Sequence, residues 1–283
     1  MVLKVLQEKQ LSPAQASSLA GKLAFLGGTL FGRVGFAGLA PLYRRQSSSG
    51  WSLSKDIEDG LRWLLQLLDM VGPREWHGAT SSLCGDRPIV IIGDASEPSD
   101  GSQSPRCAAI LIDPRLAPAL LYFSMEIPSA LLRTFKPRQK QIAVLELLWA
   151  LLACVVWSSR LSGAFCTLLE DNSAAENGII RGMSRQADIN CLLTLFWGLA
   201  ASRRCCVWAE RIPSQDNPAD CLTKPGLSAA HLAHATDISD DINWDTILAA
   251  IRRTLTQGTF PVWSDIEALA ALAVTTGGPS PEQ

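Results

Sequence analysis

Between residues 88 and 210 the chain alternates short, almost wholly apolar stretches with long helical ones, and that order constrains the fold more than any other feature. Residues 88–93 read as a strand ending at Asp94, and residues 97–105, rich in Ser, Pro and Gly, as a turn. Residues 107–112 and 120–124 give two more strands joined through an Asp113-Pro114 turn, which completes a three-strand meander. A helix over 139–159, a strand over 164–169, helices over 174–181 and 189–202, a strand over 205–210 and a helix start at Asn217-Pro218 follow. The order β-β-β-α-β-α-α-β-α predicts an α/β fold with a mixed five-stranded sheet and flanking helices.

The flanks differ in character. Before the sheet, residues 1–80 read as a small helical region. Ser12-Pro13 opens a helix carrying Leu19, Leu23 and Leu26, and Gly27, Gly28, Gly32, Gly35 and Gly38 mark close packing or a bend. A loop over 44–50 leads to a helix over 55–70 with Ile57, Leu61, Leu64, Leu65 and Leu68 on one stripe, stopped by Val71-Gly72-Pro73. The α/β segment occupies 81–228. Residues 229–283 hold two helical patterns, 244–255 and 263–272, with Asp240-Asp241 at a helix start ahead of them and a polar tail behind.

An apolar content of 47% in 283 residues can fill a sizeable core, and a formal charge of -2 argues against a basic protein that coats nucleic acid. Eight cysteines without a Cys-x-x-Cys spacing read as reduced core thiols of an intracellular protein, cytoplasmic or nuclear. Lys4, Glu8 and Lys9 interrupt the early apolar stretch, so no secretory signal is visible. The longest apolar run, 147–157, is too short to span a bilayer and reads as a buried helix, so no membrane partner is expected.

Four acids stand out against this framework. Asp94 lies where the first strand meets a turn, able to point into a cleft or to cap its own backbone. Glu146 sits among Val144, Leu145, Leu147 and Leu148, where a carboxylate is costly unless paired or metal-bound; the competing position is the helix's solvent stripe. Asp171 ends a strand, or else caps the next helix; alternation sets Glu170 on the opposite face. Asp220 falls in the first turn of a helix, where the dipole favours an acid anyway, and Asp216 is its rival. Carboxylates far apart in sequence and able to converge are what a site for two divalent cations, Mg²⁺ or Mn²⁺, requires. Arg133, Lys136, Arg138 and Lys140 precede the long helix and suit contacts to a phosphate backbone, or form a solvated loop. Trp149 and Trp157 read as core.

Taken together, Asp94-Ala95-Ser96, Glu146-Leu147, Asp171-Asn172 and Asn217-Pro218-Ala219-Asp220 resemble the motifs of the ribonuclease H domain of retroelement polymerases. Arg181-Gly182-Met183-Ser184 and Glu210-Arg211-Ile212-Pro213-Ser214 are similar to that domain in tyrosine-recombinase (DIRS-like) retrotransposons. Leu19-Ala20-Gly21-Lys22-Leu23 and Phe31-Gly32-Arg33 resemble the thumb or connection that precedes it. The resemblance spans residues 11–227 and implies metal-dependent hydrolysis of the RNA strand of an RNA-DNA hybrid, within a larger reverse transcriptase polyprotein. It implies Asp94, Glu146, Asp171 and Asp220 as the catalytic metal ligands, with Ser96 and Asn172 joining the basic residues against nucleic acid. Two departures stand. Gln215 occupies the stretch where many such domains carry a histidine, and no Tyr-x-Asp-Asp palm motif is present. A catalytically degenerate relic that binds nucleic acid is the alternative. A transposase or integrase fits less well, because here Glu comes second and Asp220 last.

Overall fold

The sheet grows outward from the apolar strand around residue 90. The computed structural model describes residues 1–27, 32–71, 88–97, 104–115, 120–224, 226–257 and 260–272. Strand β1 (Ile89–Ser96) pairs antiparallel with β2 (Arg106–Ile112), which pairs antiparallel with β3 (Leu120–Glu126). On its other side β1 lies parallel to β4 (Phe165–Glu170), and β4 lies parallel to β5 (Cys206–Arg211). A sixth strand, β6 (Thr236–Asp237), runs parallel to β3 at the far edge, giving the order β5-β4-β1-β2-β3-β6. The five-stranded expectation is thus one short: the two polar residues of β6 carry no apolar alternation by which a strand is read.

The first strand also runs further than expected. Its ladder with β2 continues through Asp94↔Ala108 and Ala95↔Cys107 to Ser96↔Arg106, so Asp94 lies inside a strand and not at its end. The parallel ladder with β4 stops sooner, at Ile92↔Leu169. Beyond that pair β1 and β4 part, and the gap between their carboxyl ends faces Asp94 on one side and Asp171 on the other.

The helices on the sheet are α5 (Ser129–Leu132), α6 (Ile142–Val156), α7 (Ser173–Arg181), α8 (Ala187–Ser202) and the one-turn α9 (Asp220–Thr223). Every residue of α6 from Val144 to Val156 is buried, which explains its unbroken apolar run. It covers β1 and β2, with the Trp149 indole lying directly on the α-carbon of Gly93. A side chain at 93 would overlap that ring, so the strand carries glycine at the crossing.

Before the sheet come α1 (Val2–Glu8), α2 (Pro13–Gly27), α3 (Ala40–Gln46) and α4 (Lys55–Met70). Ser12 starts α2 as expected: its hydroxyl accepts from the Gln15 amide while Gln15 Oε1 accepts from the Ser12 amide, a reciprocal capping box. On α4 the buried stripe is Ile57, Leu61, Trp63, Leu64 and Leu67, with Leu68 exposed, a rotation away from the expected set. Of the C-terminal pair α10 (Trp244–Gln257) and α11 (Trp263–Ala271), it is α11 that packs here, with Trp63 of α4 docked on Trp263 at 6.3 Å between ring centroids. One apolar core runs from Val5 to Ala270 through the sheet. Asp240 and Asp241 lie in a 3₁₀ turn between β6 and α10. Gly28, Gly72, Pro73, Phe31, His77, Cys84 and the tail after 272 lie outside the described residues, as does most of the 97–105 turn.

Candidate metal centre

Five carboxylates meet where β1 and β4 part. One oxygen each from Asp94, Asp171 and Asp220 lies within 4.8 Å of the others, and the same holds for Glu146, Glu170 and Asp171. Asp171 belongs to both groups and joins an inner trio beneath α6 to an outer trio beside α9.

Each is held there by neighbours. Glu97, just past β1, accepts the Gln141 amide at 2.7 Å and so fixes the N-terminus of α6 to the end of β1. One and a half turns along, Glu146 is buried and accepts from Trp149 Nε1 at 2.8 Å, which excludes the solvent stripe for it. Asn172, not Asp171, caps α7, its Oδ1 accepting from the amides of Ala174 and Ala175. That leaves the Asp171 carboxylate free of the capping role. Asn217 donates from Nδ2 to the Gly93 carbonyl at 3.0 Å and to Asp171 Oδ2 at 3.3 Å, and accepts the Ala219 amide, so one buried amide ties β1, the end of β4 and the start of α9. Replacing Asn217 with Ala strands these groups in the interior; it should cost about 2 kcal/mol in urea unfolding, and an unchanged midpoint would show that the tie carries nothing.

On α9, Asp220 faces the cluster while Asp216 is exposed, which decides between the two. The Thr223 hydroxyl donates to Asp94 Oδ2. Lys224 Nζ lies 2.7 Å from Asp220 and 3.8 Å from Asp94. Burial works against its charge, but the bond to Asp220 and the field of Asp94 carry its pKa above the ordinary value.

Three of these carboxyls resist ionisation. Burial first, and the neighbouring carboxylates after it, push Asp94 up to about 7 and Glu146 to about 11. Burial likewise pushes Glu170 up to about 8. Glu170 is fully buried; its Oε1 accepts the Asn172 amide at 2.9 Å and its Oε2 has no hydrogen-bond partner. An orphaned oxygen in a trio of acids suits a hard cation with oxygen ligands, the class to which Mg²⁺ and Mn²⁺ belong.

The remaining expected residues are placed unevenly. Ser96 closes β1, half-buried opposite Arg106. Arg133, Lys136 and Lys140 are exposed on the stretch leading into α6. Arg138 is turned inward, pairing with Asp188 at 2.6 Å and bonding Gln186 at the start of α8. Burial opposes the Asp188 charge, but the bonds from Arg138 and the Lys136 amide hold its pKa below the ordinary value. Sequence reasoning placed Asn217 at a helix start and in a motif without giving it this tie, gave no role to Thr223 or Lys224, and set Glu170 aside. The spacing of Lys224 four residues after Asp220 was the available signal.

No protein family matches the chain, and no curated protein or solved structure matches it significantly. Among the described residues no helix is long and apolar enough to cross a membrane.

Proposed function

We propose that this centre is a two-cation nuclease site of ribonuclease H type, hydrolysing the RNA strand of RNA-DNA hybrids within a retroelement reverse transcriptase. The observation that carries the reading is convergence. Asp94 within β1, Glu146 on α6, Asp171 just past the end of β4 and Asp220 on α9, spread over 127 positions, bring carboxylate oxygens together at the parting of β1 and β4, with Asp171 linking the inner and outer groups. Carboxyl ends of parallel strands are where α/β sheets bind ligands.

The donor set fits two Mg²⁺ or Mn²⁺ ions, with Glu146 and Asp171 toward the inner side and Asp94, Asp171 and Asp220 toward the outer. Such ions supply Lewis acidity, both for making hydroxide from water at neutral pH and for stabilising a leaving oxygen. The chain's own part is positional. Trp149 orients Glu146, Thr223 orients Asp94, and Asn217 holds Asp171 against the Gly93 carbonyl. Lys224, half-exposed at the outer edge, offers a positive charge to a phosphodiester arriving there. Arg133, Lys136 and Lys140, with Ser96 and the Asn172 amide group, would hold the backbone of a hybrid selected by groove shape and 2′-hydroxyls.

The test is a labelled RNA-DNA hybrid with Mg²⁺ or Mn²⁺. The wild-type chain should cut the RNA strand, and Asp94→Asn should lower the rate by more than about 100-fold, the loss that removing even an outer support of a metal ligand can cause. Cleavage unaffected by Asp94→Asn would overturn the reading. Tight hybrid binding without any cleavage would select the degenerate relic in its place.

A further inference from the structure

We propose that Glu170 is a fifth cation ligand, and that with Glu146 and Asp171 it forms an inner site that holds a divalent ion independently of nucleic acid. The proposal rests on the cation-binding half of the reading above and not on hybrid cleavage.

Three observations carry it. One oxygen of Glu170 lies within 4.8 Å of oxygens from both Glu146 and Asp171, and all three residues are buried. A carboxylate placed there only to receive the Asn172 amide needs one oxygen, and Glu170 Oε1 does that; Oε2 is sealed from water with no partner. A buried carboxylate oxygen left without a partner is costly until a proton or a cation meets it, and above the range where the proton is held a cation is what remains.

The charge balance gives the third. Asp94, Glu146, Glu170, Asp171 and Asp220 hold five negative charges when ionised, and Lys224 is the cation paired to them. The deficit of four is what two divalent ions neutralise, and it takes Glu170 to reach that balance. Lys224 sits at the outer trio, so an ion binding there must share the Asp94 and Asp220 carboxylates with its ammonium. No basic side chain is bonded to the inner trio among the described residues. The inner site is therefore expected to fill first and to exchange slowly, with the outer ion weaker and readily exchanged.

Titrate the full chain with Mn²⁺ at pH 8 by calorimetry, and follow free Mn²⁺ by electron paramagnetic resonance. Wild type should bind two ions, one at least about tenfold tighter. Glu170→Gln, which keeps shape and hydrogen bonding, should lose the tighter ion, whereas Asp220→Asn should lose the weaker. Glu170→Asp should restore part of the tight binding, with circular dichroism showing each variant folded. Two ions bound by Glu170→Gln with unchanged affinities would overturn the assignment while leaving the two-cation reading intact. Wild type binding no Mn²⁺ would overturn both, and hybrid binding without cleavage alongside two bound ions would overturn only the nuclease.

Discussion

In EDTA the protein should lose stability steadily as pH rises from 5 to 9, and Mn²⁺ should reverse the loss most strongly at the alkaline end. The sign follows from where the protons sit. In the unfolded chain these carboxyls titrate at ordinary values of 3.8 for Asp and 4.5 for Glu, whereas folding raises Asp94 to about 7, Glu170 to about 8 and Glu146 to about 11. The folded state therefore holds more protons across this window. The stability these groups contribute is complete below their unfolded values and is lost as pH climbs through the folded ones. Each group contributes a slope of about 1.4 kcal/mol per pH unit while it is protonated in the folded chain and ionised in the unfolded one. For Asp113 and Asp188 burial works against the charge, but hydrogen bonds and the charges of Arg115 and Arg138 together hold their pKa low, so they act in the opposite sense and their contribution is lost only in acid. Divalent ions compete with protons for the same oxygens, so their stabilisation grows with pH. Urea unfolding at pH 5.5, 7 and 8.5, with EDTA and with Mn²⁺, measures both effects, and Glu146→Gln should flatten the EDTA slope. A slope that is flat or rises with pH would mean that the acids do not share one dry site.

The strands of the meander and β4 were legible because each is an apolar run with Gly, Pro or Asp close by, and the buried helix because its apolar run is unbroken, and such runs have few other places to go. The convergence of the four acids was legible only as an expectation, since it depends on where β1 and β4 part, and that is a property of pairing. Glu170 was hidden by a sound rule used one residue too far. Alternation opposes neighbours inside a strand, but β4 ends at Glu170, and the pleat no longer directs Asp171. Lys224 and Thr223 were hidden for a related reason. A helix of one turn has too short a periodicity to show which face it presents, and the ladder through Asp94 brought that face onto the acids. The capping of α7 by Asn172 leaves its neighbour Asp171 out of the cap, through a hydrogen bond that either residue type can make.

Gly93→Ala is expected to damage fold and site together, although it adds one methyl in a strand, where alanine is otherwise acceptable. The new β-carbon would lie inside the indole of Trp149, which is itself fully buried in the middle of α6. Neither partner can yield cheaply. β1 is fixed by β2 on one side and β4 on the other, and α6 packs against α8 behind it. Overpacking of this kind costs about 3 kcal/mol when the neighbours cannot move. The ring is also the hydrogen-bond donor to Glu146, so any shift that relieves the clash lengthens the Trp149–Glu146 bond and releases a carboxylate of the inner trio. Mn²⁺ affinity should therefore fall along with the unfolding midpoint. Combining Gly93→Ala with Trp149→Leu separates the effects: the smaller side chain should recover part of the stability, while tight Mn²⁺ binding stays weak because the donor to Glu146 is gone. Wild-type stability in the single variant would show that α6 does not press on β1 at this point, and recovery of metal binding in the double variant would show that Glu146 needs no such donor.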